Sequence, residues 1–128
     1  MSYYLSKTLS TDFDSAVART IDALKAEGFG IITDIDIKKT LKVKIGVDFP
    51  SYRILGACNP ALAYEALTLE SKVGTMLPCN VVVRDAGNGA TEVAAVDPVA
   101  SMQAIDNPKL KEAAVQVRER LKTVIAQL

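Results

Sequence analysis

Two short strings in this chain hold the side chains best able to do chemistry. Gly56-Ala57-Cys58-Asn59-Pro60 and Leu77-Pro78-Cys79-Asn80 each set a cysteine beside an asparagine at the end of an apolar stretch. A thiol acts as a nucleophile or redox centre through its thiolate, which the positive end of a helix favours. Asn59-Pro60 is such a helix start, with Asn as cap and Pro at the first helical position, so Cys58 stands at that end. The plainer expectation is structural, because cysteine is among the most buried residue types and both strings flank apolar segments. The chain contains no histidine, so a Cys–His nucleophile–base pair is excluded.

A second cluster is basic: Lys38, Lys39, Lys42 and Lys44. Lys38 and Lys42 are four apart on one helical face, and with Arg53 they form a candidate anion contact; a solvated outer face is the simple alternative. Asp34 and Asp36 just before this helix suit its positive end better than a metal, and no metal site is expected. Gly28-Phe29-Gly30 ends a helix where a dinucleotide fingerprint would open one. Asp85 and Asp97 fit turn and cap roles. No catalytic residue and no cofactor emerge from these patterns.

The elements that must position these residues follow from periodicity. Alternation predicts strands over 3–9, 29–35, 52–58, 78–84 and 91–96. Phe13, Ala16, Val17, Thr20, Ile21 and Leu24 recur at helical spacing, with Thr11 as cap, Asp14 completing a short capping box and Gly28 as stop. Ile37, Leu41 and Ile45 predict a short helix closed by Gly46. Ala61–Leu69 forms the body of the next helix, and Ala86-Gly87-Asn88-Gly89 marks a hairpin turn. Asp97-Pro98 opens one helical turn, and Asn107-Pro108 opens a long final helix with Leu110, Ala114, Val117, Leu121, Val124 and Leu128 on its apolar face. If the third and fourth strands are antiparallel neighbours, Cys58 and Cys79 share one rim of the sheet. The expected fold is α+β: a mostly antiparallel five-stranded sheet with helices packed on one face, in one domain spanning 1–128.

Composition narrows the function classes. The 128 residues are 49% hydrophobic, and 15 basic side chains balance 15 acidic ones. Neutrality argues against nucleic-acid binding. No stretch reaches the apolar length of a membrane span, and the N-terminus lacks the pattern of a targeting signal. Two cysteines cannot build a disulfide-rich scaffold, and they fit a reducing cytoplasm. The mild apolar excess predicts surface covered by a second subunit, hence a homodimer.

Gly28-Phe29-Gly30-Ile31 with Thr33-Asp34-Ile35-Asp36, Tyr52–Pro60, Leu77–Val81 and Asp97-Pro98, taken in this order, resemble the domain of unknown function 302 family over nearly the whole chain. The resemblance implies a curved antiparallel sheet of the TATA-box-binding-protein-like class, a homodimer, and no catalytic residues to carry over. Cys58, Asn59, Cys79 and Asn80 match the family's motif and mark the candidate ligand or thiol site. The leading expectation is a non-catalytic cytoplasmic dimer that binds a small molecule or partner at that rim. The alternatives are a thiol-dependent redox or sulfur-handling protein using Cys58 and Cys79, and a structural or adaptor dimer without ligand.

Overall fold

The computed structural model describes residues 2–128. Five strands, β1 (Tyr4–Leu9), β2 (Gly30–Asp36), β3 (Tyr52–Cys58), β4 (Cys79–Gly87) and β5 (Ala90–Val96), form one sheet in the order β1-β5-β4-β3-β2. Every pairing is antiparallel, where the sequence pattern predicted only that most would be. The helices are α1 (Phe13–Ala26), α2 (Ile37–Ile45), α3 (Pro60–Leu69), α4 (Pro98–Ser101) and α5 (Pro108–Ala126).

Alternation along β4 and β5 decides which face is covered. Cys79, Val81, Val83, Val93 and Ala95 are buried, while Asn80 and Arg84 between them are exposed. The buried set packs with Ala16, Val17 and Leu24 of α1 and with Leu121, Val124 and Ile125 of α5 in one core. A second, smaller core joins Ala66 of α3 to Val73, Met102, Leu110 and Ala114.

The local signals act largely as the sequence foretold. Asn88 (φ 55°) and Gly89 (φ 76°) take the left-handed backbone of a type I′ turn between β4 and β5. Helix α1 stops in a Schellman arrangement, with Phe29 N–H donating to the Leu24 carbonyl and Gly28 N–H to that of Lys25.

Three details differ. The cap of α1 is Asp12, whose carboxylate accepts from Ser15 N–H at 3.0 Å, and not Thr11. The Ser15 side chain, and with it this backbone bond, holds the Asp12 carboxyl below its usual range. An ionised carboxylate opposite the helix's positive end is the better acceptor, and Asp14 is left without a capping partner in this turn. Pro78 lies just before β4 instead of starting it, with a cis Leu77–Pro78 peptide. A 3₁₀ turn at Val73–Met76, absent from the periodicity reading, seats Val73 in the smaller core.

Candidate functional site

Cys58 ends β3 and Cys79 begins β4, and the register pairs Ala57 with Cys79. Both thiols therefore lie at one rim of the sheet, as antiparallel pairing of these strands requires, with Cys58 one residue beyond the Ala57–Cys79 pair. Both line a cleft of about 280 Å³ bounded by this rim and by α3, α4 and α5. Cys79 is buried and Cys58 half-buried; neither is in a disulfide. Burial pushes the Cys79 thiol up to about 11, with the neighbouring Cys58 adding to the rise. At neutral pH Cys79 is a neutral thiol, a poor nucleophile and an apolar wall.

Asn59 lies at the same mouth and works as the cap of α3, its Oδ1 accepting from Leu62 N–H at 3.2 Å. A side chain added at Gly28 would meet Asn59 Nδ2 at 3.0 Å, so the end of α1 and the start of α3 lie against each other there. Asn80 does not join this group. One residue further along β4, it points to the opposite face, where it lines a shallow surface with Tyr52, Val82 and Ala94.

The basic candidates lie elsewhere as well. Lys38 is exposed on α2. Lys42 pairs with Asp48 at 3.0 Å. Arg53 grips Asp34 through two hydrogen bonds, Nε to Oδ1 at 2.9 Å and Nη2 to Oδ2, which holds the Asp34 carboxyl below its usual range. Asp36 caps α2 through Lys39 N–H, the role expected of it, whereas Asp34 serves Arg53.

The rest of the lining was not legible as a site. Ile32, Leu62, Leu77, Met102, Leu110 and Val117 carry no chemical signal beyond their apolar spacing. The one usable hint is size: Ala57, Ala63, Ala66, Ala113 and Ala114 all face the cleft. Methyl groups at these positions leave open a volume that larger side chains would fill. Gly56, inside β3, adds a tight approach on the way. A Cβ there would collide with Thr33 Oγ1 and come within 2.7 Å of Pro78 Cγ, so the bare backbone lets β2 and the segment before β4 close over β3.

The profile described as "Domain of unknown function DUF302" matches residues 5–128. The chain belongs to the DUF302 family. The fold is also that of a DUF302 relative: the crystal structure of an uncharacterized conserved DUF302 protein from Bacillus stearothermophilus superposes with a TM-score of 0.91. It is 30% identical, over 99% of this chain and 98% of that one. No curated protein matches. Among the described residues of this DUF302 chain, no helix is long and apolar enough to cross a membrane.

Proposed function

We propose that this chain is a non-catalytic binding protein that takes a small, uncharged, largely apolar molecule into the cleft at the Cys58–Cys79 rim. One observation carries the reading. Of the side chains lining this cleft of about 280 Å³, none is charged and only Asn59 is amide-bearing, beside the two thiols. Binding sites for small molecules are concave, mostly apolar and fixed in orientation by a few polar groups. At about 280 Å³ the cleft lies just below the roughly 300–1,000 Å³ usual for such sites. It offers no acid–base pair and no charge to stabilise a transition state, so binding is what its chemistry supports. The reading includes a homodimer, and two unpaired thiols suit a reducing cytoplasm.

The test is a fluorescence titration with N-phenyl-1-naphthylamine, an uncharged apolar probe. Saturable binding in the micromolar range is expected. Ala63→Leu, which puts a larger side chain into the cleft from half-buried α3, should weaken it at least tenfold. Binding that does not saturate, or that Ala63→Leu leaves intact, sinks the reading.

A second reading, thiol-based redox or sulfur handling, draws on both cysteines lining one cleft. It predicts that Cys58, the more exposed thiol, reacts first with an alkylating reagent and that Cys58→Ser abolishes a redox response. Resistance of both thiols to iodoacetamide in the folded protein removes it.

A further inference from the structure

Helices α3, α4 and α5 each begin with a capping side chain that has a second polar atom to place. Asp97 caps α4 with Oδ1 and turns Oδ2 to Arg118 Nε at 3.0 Å. Asn107 caps α5 with Oδ1 and gives Nδ2 to the Leu69 carbonyl at 3.0 Å. Asn59 caps α3 with Oδ1 in the same way, yet its Nδ2 donates to no acceptor among the described residues. No buried side-chain nitrogen or oxygen among them lacks a partner, so this amide nitrogen is reached by water. Capping does not explain the amide, because Asp or Ser would serve the start of α3 as well. Of the three caps, Asn59 is the one that lines the cleft.

Its surroundings define what the free nitrogen lacks. A Cβ at Gly28, next to the cleft-lining Phe29, would stand 3.0 Å from Asn59 Nδ2 and 3.8 Å from Arg120 Nη1. Arg120 is kept at this corner by donating to the Glu27 carbonyl at 3.3 Å. Two donors share the corner, so a guest suited to it brings an acceptor oxygen and not an N–H group. The neighbouring walls, Phe29, Leu62, Ala63 and Val117, are hydrocarbon and match a hydrocarbon body. A carboxylate is the poorer fit. Arg120 is exposed, so water and salt screen its charge, and no charged side chain lines the cavity to offset the lost hydration of an ion.

We infer that the guest is an uncharged carbonyl compound with a hydrocarbon body, whose oxygen accepts from Asn59 Nδ2 at the Gly28–Arg120 corner. Ketones, esters and amides share this chemistry. Asn59 then selects the class and the orientation of the guest while its other atom caps α3. A plain hydrocarbon in the same place would strip water from Nδ2 and return no hydrogen bond, which is where the discrimination arises. This choice of guest rests on the cleft being a binding site.

Competition against N-phenyl-1-naphthylamine on the full chain, with 2-octanone and octane as guests, tests it. Asn59→Asp keeps the capping oxygen and replaces the donor with a second acceptor. It should weaken 2-octanone at least about fivefold and leave octane and the probe within about twofold. Octanoate should bind the wild type more weakly than 2-octanone does. An equal loss for both guests, a loss for neither, or tighter binding of octanoate overturns the inference. Should Asn59→Asp disturb α3, NMR of the isotope-labelled wild type decides. The Asn59 side-chain amide protons should shift further and exchange more slowly with 2-octanone than with octane, and identical behaviour with the two counts against the hydrogen bond. The two possible failures are distinct. A probe that binds, with no selective loss of the ketone, leaves the cleft reading standing and refutes the carbonyl guest, whereas a probe that never binds refutes both.

Discussion

The two ends of the sheet received similar instructions and ended differently. Helix α5 repeats apolar residues at Leu110, Ala114, Val117, Leu121 and Val124, and all but the half-buried Val117 are buried. Helix α2 repeats them at Ile37, Leu41 and Ile45, and none is. On the α5 side, the fold closes on itself: Lys7 of β1 donates to the carbonyls of Ala126, at 3.3 Å, and Leu128, while Leu9 joins the core beneath α1 and α5. On the α2 side the chain leaves β2, makes a helix and returns through β3, and no residue of α2 is buried. Helical spacing makes an apolar stripe, and topology decides whether the stripe finds a cover.

The largest break in this contrast should come from one substitution made at both ends. Leu121→Ala removes a fully buried side chain and should cost about 2–5 kcal/mol. Leu41→Ala, half-buried on α2, should cost no more than about 1 kcal/mol. Urea denaturation compares the two, and equal losses would mean that α2 is held within its own chain. Lys7→Met comes next. It leaves the last turn of α5 without its bridge to β1 and should lower stability by about 1 kcal/mol, with faster amide exchange at residues 124–128.

Asp34→Asn should matter least, within roughly 0.2–1 kcal/mol, because the Asp34–Arg53 pair is partly exposed. Its folded carboxyl lies below the usual range, so its contribution is present at neutral pH and disappears as acid protonates Asp34. The Asn variant should therefore lose less stability on acidification than the wild type. Cys79 behaves in the opposite sense. Its folded thiol titrates near 11 against an ordinary value of 9.0, so its contribution is full below about pH 9 and is lost as pH rises towards 11. Cys79→Ala should flatten the fall in thermal midpoint across that window, and an unchanged slope would contradict the burial of the thiol.

Much of this architecture was legible because its signals are local. Asn-Pro at 59–60 and 107–108, Asp-Pro at 97–98, and Asn88-Gly89 each name their own backbone geometry, and each forms as expected. That Cys58 and Cys79 share one rim was legible given one assumption about strand neighbours, which the β3–β4 register bears out. Asn80 separated from Cys79 because successive side chains on a strand face opposite ways, so its place beside Cys79 in sequence sets it on the other side of the sheet. The cleft itself was hidden. It arises from alanines on α3 and α5, far apart in sequence, and alanine looks the same whether it fills a core or leaves a space.

The three helices around the cleft share one beginning. Asn59-Pro60, Asp97-Pro98 and Asn107-Pro108 each place a capping side chain before a proline. Asp97 does more than cap, since its other oxygen accepts from Arg118 Nε at 3.0 Å and ties α4 to α5. Asn107 likewise donates to the Leu69 carbonyl at 3.0 Å and ties α5 to α3. Each proline removes freedom from the unfolded chain, and each tie removes it from the folded walls. Part of the entropy of arranging the cleft walls is thus spent during folding. On the proposed reading, a molecule entering the cleft would meet walls already in position, and its affinity would depend on shape and surface more than on its ability to remodel the protein.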